Sequence, residues 1–377
     1  MPIDVVAARE TFEASTDLTV GIEEEYAILD PASLALADRF EDLERAGQAD
    51  PVLADAISGE LIASEIEIRS GRGEDLADAQ ARQRDARRRL FGLVAAHDLK
   101  LGTTGTHPFS DYREQRIIDT AHYRRVQDGL QYVARRNNTF ALQVHVGVRG
   151  ADRAVALCDR LRPLLPTLLA VSANSPFIDG RDAGLHSARS QTFTKSFPRC
   201  GVPDPFGDWA AWAEYVDLLV RTGSIVEVTQ LWWSVRPHHS FGTVEVRICD
   251  AQTTAAEADA LTALIVGCCR RALEEIDAGE VPPPVPGRLI EENMWRAIRH
   301  GQDGLLLDLE APRIDEYQAT EAAERLGAWA GVDVALPELN GAQRQRRMIA
   351  AGATPYEVYA ACVQETLSTY PVQEPVP

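Results

Sequence analysis

Six side chains with metal-binding or acid–base chemistry recur at alternating positions in four short apolar runs. Glu23 and Glu25 lie in LTVGIEEEYAILDP, Glu65 and Glu67 in ELIASEIEIRS, His145 in TFALQVHVGV, and Glu245 in TVEVRIC. Arg69 and Arg247 each stand two residues after a glutamate of their run. Five carboxylates gathered on one face repel each other unless they protonate or bind cations. An oxygen-rich set with a single histidine and no thiolate suits Mg2+ or Mn2+ better than Zn2+. Such ions usually link protein carboxylates to substrate phosphates. An arginine placed as in Glu245-Val246-Arg247 can neutralise phosphate oxygens during transfer. The pattern points to metal-assisted phosphoryl chemistry. No G-x-x-x-x-G-K-[ST] run occurs, so a P-loop fold is not expected, and neither is a Rossmann site.

Strands must hold these residues, because side chains alternate faces along an extended chain. Val20, Ile22, Tyr26 and Ile28 oppose Glu23 and Glu25; Glu24 breaks the alternation, which predicts a twist or an edge there. Ile62, Ile66 and Ile68 oppose Glu65, Glu67 and Arg69 in a strand expected over 60–70. Leu142, Val144, Val146 and Val148 oppose Gln143, His145 and Gly147, and Val244, Val246 and Ile248 oppose Thr243, Glu245 and Arg247. One-faced alternation favours an antiparallel or mixed sheet with helices behind its apolar side. A solvated polar face would explain any one strand. Four together favour a site, since solvated faces usually carry Thr, Lys and Ser.

Around these strands, helices are expected over 74–97, 111–136, 151–172, 209–221 and 254–278, the third shaped by Pro163 and Pro166. SIVEVTQLWW reads as strand-like. Residues 174–207 read as a long functional or mobile loop. Residues 1–17 read as a leader that could be mobile. Residues 18–377 read as a single catalytic domain, with a helical C-terminal part after the proline-rich 281–287 and an exposed proline-bearing tail.

The chain has 377 residues and a net charge of −19, from 57 acids against 38 bases. Phosphate-rich partners are therefore disfavoured, so neither nucleic acid nor an anionic membrane is expected. There is no apolar run long enough to span a bilayer and no basic, apolar N-terminal signal, which predicts a cytoplasmic location. The six cysteines form no C-x-x-C pair and read as free thiols.

The runs Gly21-Ile22-Glu23-x-Glu25, Glu67 to Ser70, Gly105 to Phe109, Val144 to Gly147 and Thr243 to Arg247 resemble the carboxylate–amine ligases of the glutamate–cysteine ligase type 2 family, in its bacterial glutamate–cysteine ligase 2 branch. The resemblance spans roughly 18–365, with the motifs in the expected order. It implies an α+β, glutamine-synthetase-like fold: an antiparallel sheet whose charged concave face holds ATP and two or three Mg2+ ions, with helices packed on the other face. It implies ATP-dependent activation of a glutamate-like carboxylate to an acyl phosphate, then amide formation with an amine, releasing ADP and phosphate. Glu23, Glu25, Glu67 and Glu245 match the acidic metal positions, and Glu65 faces the same way. His145 matches a histidine near metal or nucleotide phosphate. Arg247 matches the arginine at the transferred phosphoryl group and, with Glu25, is the catalytic expectation. Arg236 is a candidate for nucleotide or substrate. Arg189 and Ser190, in the loop 184–206, are candidates for substrate, Arg189 for a carboxylate. Many relatives carry an aromatic before that arginine, where this chain has Ala188. Trp233 is expected in the core, and His107, His238 and His239 in structural or solvent-exposed roles rather than catalytic ones. A homodimer is implied by the resemblance only. The amine acceptor stays open, cysteine included. Two other readings remain: a guanidino kinase-type phosphotransferase on a related fold, and a non-catalytic ligand-binding relative. Retention of all the acidic positions argues against the latter.

Overall fold

The computed structural model describes residues 4–309, 315–333 and 337–369. Seven strands make one antiparallel sheet. They are β1 (Val20–Leu29), β2 (Ile57–Gly59), β3 (Glu65–Arg69), β4 (Lys100–Gly102), β5 (Leu142–Gly147), β6 (Val235–His238) and β7 (Thr243–Val246). Their order is β6-β7-β5-β1-β3-β2. Ala27 pairs with Glu65 on one side and Gly102 on the other, so β4 follows β5 along the same edge of β1. Pro237 sits in β6, an edge strand, where a missing N–H costs no ladder bond. The four acid-bearing runs thus share one sheet. Its register sets Glu25 opposite Glu67, Glu23 opposite Arg69 and Gln143, and Glu245 opposite His145.

The apolar parity lies behind. Val20, Ile22, Val144, Val146, Val244 and Val246 are buried with residues of the helices Ala151–Leu161 and Ala255–Ala278. Tyr26, Ile28, Ile66 and Ile68 are buried with Leu90 and Phe91 of the helix Leu76–Ala96. Glu24 points the same way, and the expected twist or edge is not found: β1 is central, and Glu24 enters the helix layer. There it accepts from Gln83 Nε2 at 2.7 Å and from Arg87 Nε, while Arg87 Nη1 reaches Asp259 at 3.0 Å. A buried charge of this kind is tolerable only because it is paired.

Four local expectations change. The strand expected over 60–70 is the second arm of a hairpin: residues 60–64 form the turn, and β3 begins at Glu65. SIVEVTQLWW holds only a 3-10 turn, Val228–Gln230, and a two-residue bridge, Trp232–Trp233. Its buried Ile225, Val228 and Leu231 recur every third residue, a turn-like spacing that overrides strand alternation. The helix expected over 111–136 is a 3-10 turn and two short helices, Ala121–Leu130 and Tyr132–Arg135. The one expected over 151–172 breaks at Arg162–Leu164, beside Pro163 and Pro166, which lack the N–H a continuous helix needs.

The leader is, over its described part, a docked helix, α1 (Val5–Glu13). Asp4 caps it by accepting from the Val6 and Ala7 N–H groups, and Phe12 is fully buried with its ring 5.5 Å from that of Trp209. After the proline-rich break, Ile290, Met294, Ala297 and Ile298 of the helix Gly287–His300 return to the same core as the sheet. The proline-bearing tail lies outside the described residues. Among the described residues no helix is long and apolar enough to cross a membrane, and the six cysteines are free thiols.

Candidate active site

Two groups of side chains converge on the polar face. Glu23, His145 and Glu245 each offer a ligand atom within 4.8 Å of the others, and so do Glu25, Glu60 and Glu67. The register explains the first group. Glu245 lies opposite His145, and the position on the far side of His145 is Gly21. A Cβ there would stand 3.3 Å from His145 Cβ, so glycine leaves the imidazole its room. The second group needs the hairpin. Glu60 shares the parity of Ile62 and Ile66, and alternation alone therefore hides it. The turn at 60–64 resets the parity and brings Glu60 to Glu25 and Glu67. Its signal was the Ile57-Ser58-Gly59 segment just ahead, which pairs with β3 so that Ser58 faces Glu67.

The two groups have opposite electrostatics. Burial pushes the Glu245 carboxyl up, but Arg236, Arg247 and His145 outweigh it and hold it well below the ordinary value. Burial also raises Glu23, and His145 more than reverses this. Burial disfavours the His145 cation, yet Glu23 and Glu245 raise its pKa on balance. In the second group burial wins. Glu25 is raised despite Arg189 and Arg247. Burial and the charge of Glu25 push Glu60 up to about 8. Burial and neighbouring carboxylates hold Glu67, and Glu65 beside the group, well above the ordinary value.

The arginines divide into supports and candidates for contact. Arg236 Nε and Nη2 donate to Glu245 at 2.6 and 3.2 Å, and Nη1 donates to the Leu231 and Thr229 carbonyls at 2.6 and 3.3 Å. Four of its five N–H groups are committed, and it lines neither pocket described below. Expected at nucleotide or substrate, it stands behind Glu245 in this structure. Arg247 donates through Nη1 to Glu245 and Gln143, and its buried Nε has no partner. Arg189 is buried and ties down β7's exit by donating to the Arg247 and Ile248 carbonyls at 3.1 Å; its Nε is also unpartnered. Ser190 is fully buried in a π-helical turn, Ser190–Thr194, its hydroxyl accepts from Ser187, and it lines neither pocket described below. Trp233 is in the core. His107 is structural: Nε2 meets the Leu34 carbonyl at 2.8 Å, and Nδ1 accepts from the Phe109 and Ser110 N–H groups.

Two pockets flank the acids. One, of about 90 Å³, is lined by Glu25, Glu60, Glu65, Arg189, Arg247 and an aromatic wall that includes Phe193. The other, of about 690 Å³, is lined by Gly21, Glu23, Arg69, His145, Phe241 and Thr243. The second is of a size typical for small-molecule sites. Divalent cations fit this face. Its donors are carboxylate oxygens and one imidazole, the buried Glu65 Oε2 has no hydrogen-bond partner, His145 Nε2 stands 3.3 Å from Glu23 and 3.9 Å from Glu245, and Arg69 approaches Glu67 no closer than 3.9 Å. Glu23, His145 and Glu245 would hold one ion, and Glu25, Glu60 and Glu67 another. Glu65 stands outside both groups.

Comparison with known proteins shows the family of the chain. The family model described as glutamate–cysteine ligase family 2 matches residues 19–370. A Rubrobacter xylanophilus protein named "Putative glutamate--cysteine ligase 2-2" is 42% identical over 319 residues, covering 84% of this chain and 81% of that protein. A Gloeobacter violaceus relative, named as a ligase of the same kind, is 36% identical over 351 residues, covering 89% and 94%. Among solved structures, the glutamate–cysteine ligase of Francisella tularensis in complex with AMP superposes with a TM-score of 0.64 at 10% identity, covering 95% of this chain and 91% of that one. A bifunctional glutathione synthetase of Pasteurella multocida gives 0.63 at 12% identity, covering 97% of this chain and 54% of that one. These two likenesses speak for the fold alone. With a family match across most of its length and relatives at this identity, the chain belongs to glutamate–cysteine ligase family 2.

Proposed function

We propose that this ATP-dependent carboxylate–amine ligase joins a glutamate-like γ-carboxylate to an amine through an acyl phosphate, releasing ADP and phosphate. The observation that carries the reading is the placement of Arg247. It lines the smaller pocket beside Arg189 and Glu65, and it is bonded to Glu245 of the Glu23–His145–Glu245 group, whose other members line the larger pocket. ATP is assigned to the larger pocket, and the carboxylate and amine to the smaller one.

Bound Mg2+ would supply positive charge to the nucleotide phosphates. The chain's own residues do the rest. Arg247, held rigidly by Glu245 and Gln143, directs its free Nε toward the transferred phosphoryl group. There a fixed donor is worth far more than a mobile one. Gln143 also donates to Glu25 at 2.6 Å, and the Ala141 N–H donates to the same carboxylate at 2.5 Å, so Glu25 keeps a single orientation. Arg189 Nε is placed to bind a substrate carboxylate. The carboxylate oxygen attacks the γ-phosphorus and ADP leaves. An incoming ammonium gives one proton to Glu65 Oε2. The free amine attacks the acyl carbon, phosphate leaves, and the second proton departs with it. Glu65 takes that proton in its ionised form, which Mg2+ bound at the neighbouring carboxylates would favour.

An ADP-release assay across pairs of carboxylates and amines, with products identified by mass spectrometry, tests this. The expected outcome is an amide with equimolar ADP and phosphate. A stable phosphoguanidine without free phosphate, or no ADP from any pair, would overturn the reading.

A further inference from the structure

Helix α1 lies ahead of the residues matched by the family model, which begin at residue 19. It is nonetheless built into the site. Thr11, Ala14 and Ser15, at its last turn and just beyond, line the same pocket of about 690 Å³ as Glu23 and His145. Ser15 Oγ donates to the Gly242 carbonyl at 2.7 Å, which clasps α1 to the loop that carries Phe241. The approach is close: Gly242 has φ +64°, and a Cβ there would fall 2.9 Å from Ser15 Cβ and from the Thr11 carbonyl oxygen. Behind the clasp, buried Phe12 and the ion pair of Arg9 with Asp152, at 3.0 Å, anchor the helix to the body.

Phe241 is the second observation. The residue is 57% exposed although it lines the pocket, and its ring stacks on His238 at 4.3 Å with an interplanar angle of 10°. An aromatic ring fixed from behind and bare in front is a stacking platform for another flat ring. The opposite chemistry also lines this pocket: Arg69 and Arg72 are cations suited to an anion.

We infer that the last turn of α1 and Phe241 together form the base-side wall of the nucleotide pocket, so that a segment outside the family match helps to determine nucleotide affinity. The inference rests on ATP being assigned to the larger pocket. The ligand chemistry it names is a planar heterocycle joined to a polyphosphate. Ala14 is exposed, so a larger side chain there fills the pocket without entering the core.

Titration calorimetry of the full chain with a non-hydrolysable ATP analogue, and separately with inorganic tripolyphosphate, both with Mg2+, tests this. Ala14→Trp and Phe241→Ala should each weaken the nucleotide about tenfold. Tripolyphosphate affinity should stay within about twofold, since it lacks the ring. Ser15→Ala, which only releases the clasp, should weaken the nucleotide by about threefold. Unfolding temperature checks that each variant is folded. Nucleotide affinity within twofold of the unaltered protein in both larger variants, or an equal loss for tripolyphosphate, would overturn the inference alone. An unaltered protein that binds no nucleotide would overturn the assignment of ATP as well.

Discussion

The two acid groups on the polar face begin from the same strand and end in opposite electrostatic states. Glu23 and Glu25 are two residues apart in β1 and share its face. Glu23 has β5 and β7 beyond it, which bring His145 and, through Glu245, the two arginines Arg236 and Arg247. Glu25 meets the β2–β3 hairpin, which brings Glu60 and Glu67 and, as cation, only Arg69 at 3.9 Å from Glu67, while Arg189 and Arg247 offset Glu25 less than burial raises it. The first group is near internal balance and its carboxylates stay ionised. The second group leaves its charge uncompensated and holds protons that a metal would displace. Glu24, between them in sequence, shows a third outcome on the back face, where Arg87 and Gln83 neutralise it without any ligand. The difference teaches that a buried glutamate on this sheet is structural or functional according to whether the fold itself supplies its partner.

Breaking the back-face pair should have the largest effect on stability. Arg87→Ala leaves Glu24 and Asp259 without their buried partner, at a cost of about 3–5 kcal/mol in urea unfolding. Glu24→Gln with Arg87→Met should recover most of that loss; a single variant within 1 kcal/mol of the unaltered protein would show that the pair is not needed.

On the polar face, Glu67→Gln should lower Mg2+-dependent ADP release by roughly 100- to 1000-fold. The metal-free unfolding temperature should not fall, because a carboxylate repelled by its neighbours is removed. Turnover within tenfold of normal would end the metal assignment for the acid-only group. Arg247→Lys should lower kcat by about 100-fold and change nucleotide affinity less, since the single nitrogen of a lysine cannot stand both at the Nη1 position, beside Glu245 and Gln143, and at the Nε position. Equal losses in both would move Arg247 from the transfer step to binding.

The smallest and most diagnostic effect is on pH. Glu60, Glu65 and Glu67 have folded pKa values above the ordinary 4.5, about 8 for Glu60, because of burial and like charge. Their contribution to stability is complete below about pH 4.5 and is lost as pH rises through about 8. The metal-free protein should therefore lose stability across this window, and Mg2+ should restore more of it at about pH 8 than at about pH 6. A metal-induced stabilisation that shrinks as pH rises would contradict the comparison. Differential scanning calorimetry with and without Mg2+ reads this directly.

Much of the sheet was legible because alternation is a local signal. A period of two residues assigns Glu23, Glu25, Glu65, Glu67, His145 and Glu245 to one face whatever the partner strands are. Glu60 was not legible, since the turn after it reverses its parity, and Glu24 was misread because its partner lies 63 residues away. Arg236 was read as a candidate for nucleotide or substrate and Arg189 as one for a substrate carboxylate. Only their bonds separate them: one is committed to Glu245, and the other keeps a buried Nε free beside a pocket.

By itself, then, the sequence determined which residue types face together and what chemistry a set of carboxylates, one imidazole and an arginine can perform. The tertiary structure decided how that set divides, which arginine is committed to a carboxylate and which keeps an Nε unpartnered, and that the end of α1 lines a pocket beside the acids. The physical reason is range. Face alternation follows from the backbone of each strand alone. Charge balance, however, depends on atoms within about 4 Å, where Coulomb energies are largest, and those atoms come from strands and helices distant in sequence.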